Sequence, residues 1–143
     1  PDWEKGEICR LRPEQVDLAQ GQIHFRGKQT KTKKPRITFL QPNVVDWLRA
    51  YPLDKYPILA VNFKKLYPKI RADFALAYDV LRHTYLTMLV GKFRSVGDAA
   101  LQAGNTEGVV WARYLNLVQP PEAEAFWEIR PKHRPEPPAA PSA

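Results

Sequence analysis

Two short stretches of the chain alternate polar and apolar residues, and the rest of its apolar pattern has helical spacing. Gln22-Ile23-His24-Phe25-Arg26 and Arg36-Ile37-Thr38-Phe39-Leu40 follow the period of half-buried strands. Between them runs the basic tract Gly27 to Pro35, so the pattern predicts a β-hairpin whose long tip carries lysines as a protruding electropositive finger. Before it, Glu4 to Leu11 reads as the end of a helix that Pro13 breaks, with Cys9 as small apolar filler beside Ile8 and Leu11. After it, Pro42 and Asn43 open a helix whose apolar face is Val44, Val45, Trp47 and Leu48, closed by Tyr51-Pro52. Phe63, Leu66, Tyr67 and Ile70 predict another over 63–72, with a break or late start at Pro68. Helices are further expected over Leu81 to Val90, Val96 to Gln102 and Glu107 to Tyr114. Gly104 supplies a left-handed stop to the second, and Thr106 a cap to the third. Pro121 and Glu122 open the last, Ala123 to Ile129, which carries Phe126 and Trp127.

The expected class is therefore α+β: a mainly helical domain over 1–130 with a small antiparallel sheet or hairpin at one edge. Residues 131–143 are rich in proline, lack apolar periodicity and read as a disordered tail. No apolar run approaches the roughly 20 residues that a membrane span needs. One cysteine rules out an internal disulfide framework and a cysteine-based zinc site, and fits a reducing cytoplasm. The chain starts at Pro1 without an initiator methionine, and we expect it to be part of a longer protein.

Charge narrows the choice of partner. Twenty-two Lys and Arg against 15 Asp and Glu give +7, a balance that favours a polyanion, nucleic acid first. Arg26, Lys28, Lys31, Lys33, Lys34 and Arg36 crowd into the hairpin tip and its flanks, and they are the expected DNA-binding cations. Lys64, Lys65, Lys69 and Arg71 form a second group.

Three short segments stand in a fixed order: Leu81-Arg82-His83-Thr84, then Ala103-Gly104-Asn105-Thr106, then Tyr114, nine residues past Asn105. Together they resemble the second half of the catalytic domain of tyrosine recombinases, the phage-integrase family. Gly6-Glu7-Ile8-Cys9-Arg10-Leu11 is similar to that family's first box, and Val16-Asp17-Leu18 with Gly21-Gln22-Ile23 to the lead into its hairpin. The resemblance implies that Arg82 grips a DNA phosphate, Asn105 supports it, and Tyr114 attacks the phosphorus. Lys31 is then the preferred general acid and Lys28 the alternative. Such chemistry needs no metal, nucleotide or other cofactor. The implied partners are double-stranded DNA and, in the full-length protein, three further copies in a homotetramer.

The residue types suit those roles. A guanidinium is always charged and binds phosphate through two hydrogen bonds. A phenol can serve as nucleophile once nearby cations help it lose its proton. Asn105 stands where histidine is commoner in the family, and it supplies a neutral donor without acid–base capacity. Asp79, three residues before Arg82, cannot donate to phosphate when ionised but can orient Arg82. His83 faces the core, braces the turn or touches phosphate. The family's first arginine is either replaced by Glu4, three residues before Glu7, or, as we favour, expected just upstream of Pro1.

Three functions remain open on these residues. The first is strand cleavage and rejoining by a site-specific recombinase through a 3′-phosphotyrosyl intermediate. The second is a catalytically degenerate, integrase-like DNA-binding module or prophage remnant, which Glu4 and Asp79 would suit. The third is a basic nucleic-acid binder unrelated to recombination. Phe126 and Trp127 either anchor a segment exchanged between copies or pack on their own domain.

Overall fold

The computed structural model describes residues 7–30, 33–59, 62–77, 79–104, 106–114 and 118–132. The fold is α+β and mainly helical, with six α-helices and one three-stranded antiparallel sheet among the described residues. Contacts divide the chain into two units, Pro1–Ile58 with Ile129–Ala143, and Leu59–Glu128.

The first unit is built on the sheet β1 (Val16–Asp17), β2 (Gln22–Phe25) and β3 (Arg36–Phe39), in that spatial order. Gly21, at φ +62°, makes the turn into β2, where Asp17 Oδ1 accepts from the Gln20 N–H at 2.9 Å. The register pairs His24 with Ile37 and Phe25 with Arg36. Phe25 is buried, and the Arg36 guanidinium lies over its ring at 4.9 Å while also pairing with Glu7. Pro42 then starts α1 (Pro42–Ala50). The carbonyl of Ile129 accepts from Trp47 Nε1 at 3.2 Å, and Arg130 pairs with Asp46, so this short segment closes on α1.

One expectation for this unit needs correcting, and strand β1 was not expected. The described part of the expected first helix is only a 3-10 turn, Ile8–Arg10, which ends at an extended Leu11. The two-residue strand β1 carries too few residues to show alternation. The flanks of the hairpin tip approach each other closely, and the tip residues Lys31 and Thr32 lie outside the described residues. Gly27–Gln29 forms a 3-10 turn, and Thr30 is buried with Oγ1 donating to the Lys34 carbonyl at 2.8 Å. A Cβ on Gly27 would lie 2.5 Å from the Lys33 carbonyl oxygen, so only glycine permits this approach. Arg10 donates to the carbonyl of Gln29 at 3.1 Å.

The second unit holds α2 (Phe63–Asp73), α3 (Val80–Phe93), α4 (Val96–Ala103), α5 (Glu107–Tyr114) and α6 (Pro120–Trp127). Helix α3 is the hub, packing on α4, α5 and α6. Its fully buried Leu86 and Val90 meet Val110 of α5, and each such side chain contributes about 1.5–3 kcal/mol on leaving water. Gly91 lets α6 approach closely, since an added Cβ would lie 3.1 Å from Ala123 Cβ and 3.3 Å from Val118 Cγ1. Trp127 is buried, its indole donating to the Met88 carbonyl at 3.1 Å. Phe126 and Trp127 thus pack within their own unit, edge to face at 4.9 Å.

Helix ends follow local chemistry. Ser95 Oγ accepts from the Asp98 N–H and starts α4, and Gly104 at φ +64° ends it as expected. Helix α6 begins at Pro120, earlier than the expected Ala123, because proline suits the first turn and Glu122 Oε2 accepts from the Gln119 N–H at 3.1 Å. The expected break at Pro68 does not occur, and α2 runs through it. An exposed helix can lose one backbone hydrogen bond there without ending. Of the tail, only Pro131 and Lys132 are described. No helix among the described residues is long and apolar enough to cross a membrane.

Candidate functional site

Arg82 sits in the first turn of α3, a helix entered through Asp79 in the left-handed conformation at φ +58°. Aspartate tolerates that conformation better than most residues. The Asp79 carbonyl accepts from the His83 N–H at 3.0 Å and closes the turn, so Asp79 shapes the backbone that presents Arg82. Arg82 is exposed, and its Nη2 donates to the Ala103 carbonyl at 3.1 Å. That carbonyl belongs to the last residue of α4, just before the Gly104 stop. One end of the guanidinium is therefore tied to the turn that continues into Asn105. Asn105 itself lies outside the described residues.

Tyr114 ends α5. Val110 and Tyr114, four residues apart, share the buried face of that helix, while Trp111 on the other side is 63% exposed. The Tyr114 side chain is only 4% exposed. Its ring lies 5.4 Å from that of His83, tilted by 42°, so His83 follows the exposed Arg82 and turns toward the phenol. Within one unit the fold thus joins Arg82 to the Ala103–Gly104 turn, and His83 to Tyr114. The Tyr114 ring is thus packed in the core of its unit.

The basic residues of the other unit fall into two groups. Arg26, Lys28, Lys33 and Lys34 are exposed, whereas Arg36 is half-buried and held by Glu7 and Phe25. Lys31 lies outside the described residues. Lys28 belongs to the first unit, and Arg82 and Tyr114 to the second.

Sequence reading passed over two glutamines in the first unit. Gln15, 4% exposed, and Gln29 face each other with both amides reciprocally bonded. Gln15 Nε2 donates to Gln29 Oε1 at 2.7 Å, and Gln29 Nε2 donates to Gln15 Oε1 at 3.0 Å. Gln15 Oε1 also accepts from the Arg12 N–H, and Gln29 Oε1 from the Arg26 N–H, each at 3.1 Å. The remaining amide hydrogens go to the carbonyls of His24 and Arg10, at 2.7 Å each. Two residues fourteen positions apart, on separate 3-10 turns, leave no periodic signal that could have found them.

Among the described residues no group of three or more His, Cys, Asp or Glu is placed to hold a metal ion. Comparison with family models, with curated proteins and with solved structures finds no match to this chain.

Proposed function

We propose that the chain is catalytic-domain sequence of an integrase-like tyrosine recombinase, cutting and rejoining DNA through Tyr114. The observation that carries this reading is the tie between Arg82 and the Ala103 carbonyl, with Tyr114 against the neighbouring His83. In the proposed reaction the Tyr114 oxygen bonds to phosphorus and the phenolic proton passes to solvent. The bond from phosphorus to the 5′-oxygen breaks, and a lysine ammonium, Lys31 or else Lys28, protonates that oxygen. Arg82 and Asn105 stabilise the charge on the non-bridging oxygens. A 5′-hydroxyl on the partner strand then attacks the phosphotyrosine, giving its proton back to the lysine, and releases the phenolate, which takes up a proton from solvent. The phosphotyrosyl bond conserves the phosphodiester energy, so no cofactor or ATP is consumed. Cytoplasmic double-stranded DNA is the proposed partner, with a homotetramer as the working form of the full-length protein.

Burial of Tyr114 favours a second reading, an integrase-like module that binds DNA without cleaving it. A nicked suicide DNA substrate separates the two. A covalent adduct with the wild-type chain that is lost in Tyr114→Phe supports cleavage. DNA binding with no adduct supports the non-cleaving module.

A further inference from the structure

We infer that Arg12, Arg26 and Lys28 form a trough for the phosphate backbone of DNA, with Gln15 and Gln29 as positioning residues. The inference rests on the proposed DNA partner but not on strand transfer.

Two adjoining concavities of about 470 and 460 Å³ share Arg12, Lys28 and Gln29 in their walls. Arg10 completes one and Arg26 the other, and among the described residues no carboxylate lines either. Four cations therefore border the two hollows, with no counter-charge from the described residues in their walls. Arg10 spends its guanidinium partly on the carbonyls of Lys28 and Gln29, at 3.4 and 3.1 Å, which fixes the backbone beneath Lys28. The side chains of Arg12, Arg26 and Lys28 have no hydrogen-bond or ion-pair partner among the described residues. Arg36 differs, since Glu7 already neutralises it.

The glutamine pair makes the hollows a built feature. Each amide oxygen holds the backbone N–H of one arginine, and each amide nitrogen holds the other glutamine. Arg12 and Arg26 are thereby tied to each other through side chains with every polar atom satisfied. Cations carried on a backbone held at set spacing lose only side-chain freedom on meeting a regular row of phosphates, less than cations on separate mobile loops. Such a site reads the backbone and carries no base specificity.

The test measures binding of the whole chain to a fluorescein-labelled DNA duplex across a salt series. Arg12→Ala/Arg26→Ala/Lys28→Ala is compared with Lys64→Ala/Lys65→Ala/Lys69→Ala, which removes the same charge from α2. The trough variant should lower the slope of log affinity against log salt by about 2 to 3, and the α2 variant by clearly less. Equal losses would mean that net charge alone matters and would overturn the trough. Competition by polyglutamate as strong as by unlabelled DNA would overturn the assigned ligand. Gln29→Ala, assayed where circular dichroism reports it folded, should lose affinity with every charge retained. A lowered Tm with unchanged affinity would reduce the pair to a structural role. Wild-type chain that binds no duplex would remove the proposed function and the trough together, whereas the comparison between variants bears on the trough alone.

Discussion

Arg82 and Ala103 are joined across the ends of two helices, guanidinium to carbonyl at 3.1 Å. The bond fixes how an exposed cation leaves the first turn of α3, and the fit is to a planar fork rather than to a point charge. An ammonium could reach the carbonyl or a phosphate, but it could not span both along one rigid edge.

Arg82→Ala is accordingly expected to cut the rate of covalent adduct formation on a nicked duplex by about 10²–10³-fold. Arg82→Lys should restore little of it. Single-turnover gel assays measure both, and near-wild-type adduct formation in the lysine variant would remove the bidentate role.

Tyr114 supports the core as well as the proposed chemistry, and its two substitutions should differ sharply. Tyr114→Phe keeps the ring against His83 and should change unfolding free energy by no more than about 1.5 kcal/mol, while abolishing the adduct. Tyr114→Ala opens a cavity beside Val110 and should cost about 3–5 kcal/mol in urea melts.

Close approach of α6 to α3 depends on Gly91. Gly91→Leu forces a branched side chain into the space that Ala123 and Val118 already fill, and should destabilise the fold by about 1–3 kcal/mol. Denaturant melts check this, and a stability equal to wild type would mean that α6 shifts freely.

Arg36 is expected to matter less for DNA than the neighbouring cations, because its charge is matched by Glu7. Arg36→Ala should lower duplex affinity less than Arg26→Ala does, and a half-exposed pair of this kind stabilises by only about 0–1 kcal/mol. Glu7→Gln, which releases the guanidinium from that pairing, should raise affinity. Fluorescence anisotropy at one fixed salt concentration compares all three.

The elements that could be read in the sequence were those whose burial is periodic. Strand β2 and helices α1, α3, α4 and α5 fall within a few residues of expectation, because their apolar spacing is displayed in the sequence. Strand β3 also falls in place, but with its alternation inverted: Ile37 and Phe39 are exposed, and Arg36 and Thr38 are half-buried. Gly104 announced its own left-handed stop. The flanks of the hairpin tip could not be read this way. Their arrangement depends on the Gly27–Lys33 approach and on an amide pair between distant glutamines, both tertiary contacts with no local pattern. For Tyr114 the sequence held a usable sign, since its spacing of four from Val110 sets both on one helical face. That spacing points inward, as the burial of both side chains shows. Asn105 and Lys31 lie outside the described residues, so the structure leaves that part of the proposed site as the sequence had it.

Helix α3 has a left-handed residue at each end, Asp79 at φ +58° and Arg94 at φ +55°, and neither is glycine. A long cationic side chain in that backbone region carries a steric cost of about 1–2 kcal/mol, so the exit of the helix holds an untapped reserve of thermal tolerance. Replacing Arg94 with glycine would relieve the strain while adding chain entropy to the unfolded state, for a net gain of up to about 1 kcal/mol. That gain lies at the opposite end of the helix from Arg82, so a hardier version of the protein can be sought without disturbing the residues proposed to meet DNA.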